Sequence, residues 1–443
     1  MAEPKRFIIK PQINIGILGL GVVGSGTVRV LTENADGIAR KTGCPLVVKK
    51  IAVRNLGKPR DVSVTPGLLT ADPSEVLLDP DIDIVCELIG GVQPAYDYVM
   101  RAMEGGKSIV TANKEMMAKR GHELLQFAER QGLDFSFEGS VGGGIPIISP
   151  LKQALAANRF TEVMGIVNGT TNYILSKMAS EDAEFADVLA QAQALGYAEP
   201  DPTNDIAGYD AQFKTAILAS IAFSSRIDVS QVSVEGITQV GKRDMEVARD
   251  LGYVIKLVGI GQEDAQGRLT VRVHPALLPQ AHPLASVNDV YNAIYLRGDA
   301  VGDVMFYGRG AGSLPTGSAV VGDIMETARN INLGATGRLG YASYEQKPVR
   351  NIARLSTKYY VRMLAHDRPK VLASLASVFG DFDVSIESVL QRALPPQSES
   401  EEADAEIVWI THRCLEANLR SALDVIARLH IVPAIQNMIR VEE

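Results

Sequence analysis

Glu199, Asp205, Asp210 and Lys214 fall within one short stretch of the chain, and their types suit the handling of a charged small molecule. Apolar periodicity predicts a helix over Asp210–Phe223, which sets Asp210 and Lys214 four residues apart on one face. Ile217 and Ile221 continue that stripe, so the face is expected to turn inward. An inward lysine or aspartate is costly unless it is paired or functional. The chemistry on offer is an ammonium that gives a proton to an oxygen gaining negative charge, beside carboxylates that hold a cationic group. The plainer alternative is a structural ion pair at the edge of the stripe, and Asp205 alone reads equally as a residue at a helix N-terminus.

A second constellation opens the chain. The apolar run Ile13–Leu18 leads directly into Gly19-Leu20-Gly21-Val22-Val23-Gly24 and then a helical pattern. In a dinucleotide site the first glycine permits the tight turn and the second admits the pyrophosphate to the backbone. The third lets helix close on strand, and the helix N-terminus supplies donors and partial positive charge. The next strand ends in Ile51-Ala52-Val53-Arg54-Asn55, without the acidic residue that would hold ribose hydroxyls. Arg54 can meet a 2′-phosphate instead, so NADP is expected ahead of NAD, although an arginine there can also stack on adenine. Lys114, just after the apolar Ser108–Thr111, falls where strand ends line the ligand crevice of a doubly wound sheet.

The elements that must position these residues are legible in outline. Strand-like runs at Ile13–Leu18, Leu46–Val53, Ile82–Leu88, Ser108–Thr111 and Asp134–Phe137 alternate with helical patterns at Ala95–Met103 and Glu115–Arg130. That alternation predicts an α/β, doubly wound parallel sheet of the Rossmann-like kind. Then come helices expected at Pro150–Asn158, Tyr173–Lys177, Ala183–Leu195 and Asp210–Phe223. Strands expected at Val254–Ile260, Leu269–Val273 and Asp303–Tyr307 follow, an α+β texture. The tail reads β-α-β-β-α-β, a ferredoxin-like βαββαβ unit, with a polar acidic loop at Pro395–Glu406. A helix over Ser318–Asn332 can return to pack on the first domain.

Bulk properties bound the rest. With 443 residues, 46% hydrophobic and 22% charged, two or three globular domains are expected. The net charge of −8 argues against a nucleic-acid partner. Cys44, Cys86 and Cys414 are too sparse for a disulfide framework or a zinc site. No apolar run reaches the length of a membrane span, and the opening segment lacks the long apolar run of a signal peptide, so a cytoplasmic protein is expected.

Four runs are more specific. Glu87-Leu88-Ile89-Gly90-Gly91, Val110-Thr111-Ala112-Asn113-Lys114, Asn168-Gly169-Thr170-Thr171-Asn172-Tyr173-Ile174-Leu175 and Gly196-Tyr197-Ala198-Glu199-Pro200-Asp201-Pro202 resemble the homoserine dehydrogenase family, over roughly residues 13–325. The tail, with Asp367-Arg368-Pro369 and Leu372, looks like an ACT domain, an amino-acid-sensing module. The resemblance implies a nucleotide-binding domain over 1–149, a catalytic and dimerisation domain over 150–333, a linker over 334–354 and an ACT regulatory domain over 355–443. Family members reduce the aldehyde of L-aspartate 4-semialdehyde to L-homoserine with NAD(P)H, on the route to threonine, methionine and isoleucine.

Carried over residue by residue, the resemblance makes Lys214 the proton donor and leaves open a share of that role for Lys114 near the nicotinamide. It assigns Glu199 and Asp210, with Asp205 beside them, to the substrate. Thr170 belongs to a loop that orients the substrate carboxylate, a pattern that reads equally as a turn and helix cap. Gly19, Gly21, Val22, Val23, Gly24, Arg54, Lys114 and Gly196 are implied to touch cofactor. So is Gly310 or Gly312, between which the sequence does not choose. Gly317 stands where members carry alanine. Glu138, Val141, Gly143 and Ile145 match positions that hold a monovalent cation, usually sodium, through carbonyl oxygens; a hinge is the alternative. Threonine is the expected effector, bound between paired tails of a homo-oligomer, dimer or tetramer. Two rivals stand beside this reading: aspartate-semialdehyde dehydrogenase, which needs a cysteine nucleophile, and a non-catalytic sensing protein.

Overall fold

The computed structural model describes residues 10–337, 345–394 and 404–443, so parts of the expected linker and of the acidic loop at 395–406 lie outside the described residues. Contacts group the chain into two compact units that interleave in sequence. One comprises residues 1–163, 213–229 and 291–347; the other comprises 164–212, 230–290 and 348–443.

In the first unit, six strands form one sheet: β1 (Ile13–Leu18), β2 (Leu46–Ala52), β3 (Leu69–Thr70), β4 (Ile84–Glu87), β5 (Ser108–Thr111) and β6 (Phe135–Ser136). Their order is β3-β2-β1-β4-β5-β6, and every pairing is parallel. The β-branched residues of β1 explain its central place: Ile13, Ile15 and Ile17 are fully buried. Helices Val22–Glu33 and Ser313–Leu333 cover the sheet, the latter through Val320, Val321, Ile324 and Ala328. Strands Tyr291–Gly298 and Gly302–Arg309 form an antiparallel hairpin in the same unit.

The two covering helices meet backbone to backbone. A Cβ at Gly26 would lie 2.0 Å from the Ser313 carbonyl oxygen, and one at Gly317 would lie 2.6 Å from the Gly26 carbonyl carbon. Glycine at 317 is therefore required here, where the family resemblance offers alanine. Gly317→Ala gains about 1 kcal/mol of helix propensity but forces the helices apart, at about 1–3 kcal/mol. A net loss of up to about 2 kcal/mol is expected, read as a lower midpoint in denaturant unfolding; a raised midpoint, the propensity gain alone, would refute the contact.

Several expectations need correction. The helix expected over Pro150–Asn158 spans only Ile148–Lys152 and gives way to turns. It begins early because Glu138 accepts hydrogen bonds from the Ile147, Ile148 and Ser149 amides at 2.6, 2.8 and 2.7 Å. The strands Phe160–Ile166 and Tyr291–Gly298 and the helix Lys242–Asp250 were not anticipated. That helix is short and mostly charged, burying chiefly Asp244, Met245, Val247 and Ala248, so its periodicity is weak. The helix Tyr209–Ala222 is buried on nearly every face rather than along one stripe.

The second unit contains a sheet in which Tyr253–Glu263 pairs antiparallel with Leu269–Pro279, and Leu269–Pro279 pairs parallel with Ala434–Val441. Next come Ser356–His366, Asp404–Thr411 and Ile386–Ala393, all antiparallel. With helices Val371–Asp381 and Glu416–Ile426, the tail thus has the β-α-β-β-α-β order, around a core in which Phe379 and Trp409 meet edge to face at 5.1 Å. Among the described residues no helix is long and apolar enough to cross a membrane.

Candidate active site

β1 lies between β2 and β4, and the strand order reverses direction there, so the C-terminal ends of β1 and β4 open the crevice where doubly wound sheets take ligands. Each glycine of the turn has a distinct reason. Gly19 adopts φ 99°, and a Cβ there would lie 2.8 Å from the Leu88 carbonyl oxygen. A Cβ at Gly24 would lie 2.3 Å from the Gly19 carbonyl oxygen, so only glycine lets the helix close on the turn. A Cβ at Gly21 would meet nothing within 4 Å, and Gly21 is the N-cap of Val22–Glu33 without a side-chain partner. Open space beside uncapped helix amides is a cradle for an anion, and it fits a dinucleotide pyrophosphate. Gly21 and Val22 are exposed, Val23 is half-buried and Gly24 is buried. Arg54 stands exposed two residues past β2, whereas Arg60 folds back onto the carbonyls of Asn55, Leu56 and Lys58.

β4 ends in Glu87, a fully buried carboxylate. It accepts from the Ile89 amide at 2.9 Å and the Thr111 hydroxyl at 2.6 Å. Burial pushes its pKa up against the pull of those hydrogen bonds. Asn113 donates to the Gly91 carbonyl at 2.6 Å and caps the helix Lys114–Gln131 by accepting from Met116 N at 3.0 Å. The half-buried Lys114 therefore starts a helix whose first turn is fixed to the loop after β4. Glu87 and Asn113 have site-building roles that sequence reasoning did not assign. The signal was present: a carboxylate closing an otherwise apolar central strand.

Gly310 and Gly312 stand in different settings. Gly310 is buried, with no room for a Cβ, which would sit 1.9 Å from the Asn292 amide. Gly312 is exposed, has φ 119° and is the N-cap of Ser313–Leu333. Ser313, another residue the sequence did not single out, donates to the Val22 carbonyl at 2.8 Å and so ties this turn to the glycine turn. In the loop at 138–145, Gly142 and Gly143 have φ 74° and 53°, and Gly144 N donates to the Arg309 carbonyl at 3.0 Å. The Glu138 carboxylate is spent on the three amides named above and its own N–H donates to Asp323 at 2.8 Å. The Glu138 carbonyl accepts from Val141 N at 3.5 Å.

In the second unit Asn168 is the organiser. Its Nδ2 donates to Asp205 Oδ1 at 2.7 Å and to Asp210 Oδ2 at 2.8 Å, while its Oδ1 accepts from Thr171 N and the Thr171 hydroxyl, both at 2.9 Å. The expected substrate loop is thus, at Asn168, the N-cap of the helix Gly169–Glu181. The Thr170 hydroxyl donates to the Tyr197 carbonyl at 2.7 Å, a contact that holds the Gly196–Glu199 turn. Gly196, with φ 75°, and Glu199 are both exposed. The helix Tyr209–Ala222 carries Asp210 and Lys214, which are 5% and 8% exposed. All three cysteines are buried, and burial drives the Cys86 thiol pKa far up, so none suits a nucleophile.

A turn of this kind on a sheet of this order takes a dinucleotide, and a desolvated lysine one helical turn from a carboxylate suits reduction of a carbonyl in a charged substrate. Fold and site together define an NAD(P)-dependent oxidoreductase. Residues 19–138 match the homoserine dehydrogenase NAD-binding domain, and residues 146–325 match the homoserine dehydrogenase family. The chain is 42% identical over 430 residues to a homoserine dehydrogenase of Bacillus subtilis (strain 168), covering 97% of this chain and 98% of that one. It superposes on a Thiobacillus denitrificans homoserine dehydrogenase with TM-score 0.91 at 42% identity, covering 98% of both chains. A hyperthermophilic archaeal homoserine dehydrogenase in complex with NADPH matches with TM-score 0.61 at 28% identity, over 71% of this chain and 97% of that one. The chain belongs to the homoserine dehydrogenase family.

Proposed function

We propose that the chain reduces L-aspartate 4-semialdehyde to L-homoserine with NADPH, reversibly, and that Lys214 supplies the proton. The observation that carries this is the burial of Lys214 on the helix that also holds Asp210. With the dinucleotide's pyrophosphate held at the glycine turn, its reduced nicotinamide would supply the hydride. Addition to the aldehyde carbon places negative charge on its oxygen, which the Lys214 ammonium neutralises by donating its proton. Glu199, Asp205 and Asp210 hold the substrate ammonium, with Asn168 setting the direction of the two aspartates. Lys114 adds positive charge on the nucleotide side, Gly196 and Gly312 give backbone access to the cofactor, and Gly310 supports Gly312. The test is absorbance loss at the NADPH band with aspartate semialdehyde; no turnover would overturn the reading in favour of a sensing protein.

Arg54 carries the NADP preference. Its exposed guanidinium beyond β2 suits a 2′-phosphate, and losing such a charged hydrogen bond costs about tenfold in affinity. Arg54→Ala is therefore expected to raise the KM for NADPH about tenfold while leaving that for NADH unchanged. Equal effects on both would show that it stacks on adenine.

The carbonyls of Glu138, Val141, Gly143 and Ile145 would hold a sodium ion, for which hard oxygen donors on a left-handed glycine turn are suited. The four-part division at 149, 333 and 354 is retained, with the tail as an ACT-type regulatory module. Asp367, Arg368 and the first turn of Val371–Asp381 form one wall of a threonine site completed by a second copy in a homo-oligomer. Gln391 donating to Asp367 at 3.1 Å supports a preformed wall.

A further inference from the structure

Arg440, on the last strand of the tail, is only 1% exposed, yet it meets two carboxylates. Its Nη1 and Nη2 donate to Glu235 at 2.8 and 2.9 Å, and its Nε and Nη2 donate to Glu416 at 2.8 and 2.6 Å. Arg420 adds a second guanidinium to Glu235 at 2.9 Å. Burial alone would raise the Glu235 pKa; Arg440 above all, with His274 and Arg420, outweighs it and holds the group at about 2. A carboxylate gripped in this way has a fixed backbone on either side.

What that backbone touches gives the grip its meaning. Ile237 N donates to the Ile206 carbonyl at 2.8 Å, and a Cβ at Gly236 would lie 2.2 Å from the same oxygen. Gly208, at φ 86°, has the Val234 side chain 3.0 Å from where its Cβ would be, and Gln212 donates to the Val232 carbonyl at 2.9 Å. The strip 232–237 is therefore pressed, with no slack, onto residues 206–212. Asp205 precedes that segment, Asp210 lies within it, and Asn168 joins both.

We propose that Glu235 is a positioning residue, through which the Arg440 and Arg420 clamp of the tail fixes the spacing of Asp205 and Asp210 and hence the fit of an amino-acid ammonium. The inference rests on the assignment of those aspartates to the substrate. It makes the tail a constituent of substrate recognition even with no effector bound.

The experiment uses the full chain. Glu235→Gln keeps the shape and removes the charge. The KM for aspartate semialdehyde is expected to rise between about 3- and 30-fold, the usual span of coupling through such networks, with the KM for NADPH unchanged. Glu235→Asp restores part of the loss. Glu406→Gln is the control, because Glu406 is likewise a carboxylate held by two arginines, Arg243 and Arg362, away from the 206–212 segment. It should lower the Tm and leave both KM values alone. A folded Glu235→Gln chain with wild-type substrate KM overturns the proposal, as does an equal KM rise in Glu406→Gln. If Glu235→Gln does not fold, Arg420→Met decides: the arginine is 48% exposed and its loss is mild. A substrate KM at least doubled supports the clamp, and an unchanged one overturns it. Failure of the functional assignment itself would show separately, as a wild-type chain without turnover.

Discussion

Lys214→Ala is expected to lose two or more orders of magnitude in kcat while binding NADPH as the wild type does. The reasoning starts from the charge that appears on the aldehyde oxygen as hydride arrives. With 8% exposure at Lys214, water has little access to replace the missing ammonium. Loss of a positioned general acid costs about 10²–10⁴-fold. Cofactor affinity is expected to persist because the anion cradle is made of backbone at Gly19–Gly24, which owes nothing to Lys214. Lys114→Ala separates the two lysines. Lys114 opens a helix, where the macrodipole disfavours a cation, and it is only half-buried. It should therefore lose less in kcat and more in cofactor affinity. Single-turnover rates with fluorescence titration of NADPH measure both quantities. A larger kcat loss for Lys114→Ala than for Lys214→Ala would move the proton transfer to Lys114.

The nucleotide-binding half of this chemistry was readable in the sequence because its pattern is local. β1 begins and ends where the apolar run does, and the three glycines follow it directly, although only Gly24 answers a neighbour within a few residues, while Gly19 makes room for Leu88 and Gly21 leaves open space. Lys214 and Asp210 were readable for a related reason, since helical spacing converts sequence distance into a shared face. Asn168 was not, because its partners Asp205 and Asp210 lie 37 and 42 residues away and a single sequence carries no trace of that pairing. Its local role as a cap was visible, and that role is only half of what the side chain does. Thr170 is a parallel case: nothing local shows that its hydroxyl donates to a carbonyl 27 residues on. The tail was legible as six alternating elements, but the buried arginines of the second unit were not. Arg272, Arg362 and Arg440 sit in strands where periodicity marks a position as inward without saying what will neutralise the charge.

Arg272 shows how much depends on that neutralisation, and Arg272→Met is expected to cost about 3–5 kcal/mol of stability, the usual result of orphaning one partner of a buried pair. Arg272 is 1% and Glu442 5% exposed, and the guanidinium donates to the carboxylate at 2.8 and 2.9 Å. Burial would raise the Glu442 pKa; Arg272 and His274 outweigh it and hold the group at about 2. A folded pKa below the unfolded one means that the unfolded chain binds the extra proton. The stabilisation is thus present above the ordinary carboxylate range and lost as pH falls towards 2. With Arg272 gone the sign reverses. Desolvation then dominates, Glu442 takes up a proton more readily when folded, and His274, 3.4 Å away, offers it a cation as it protonates. The deficit of Arg272→Met should therefore shrink as pH is lowered from about 8 to about 5. The double variant Arg272→Met/Glu442→Leu should recover most of it, since an apolar pair of similar volume removes both desolvation costs. Urea midpoints of the three chains across that range decide the matter. A deficit that is constant with pH, or a double variant no more stable than the single, would show that the pair fixes packing rather than charge.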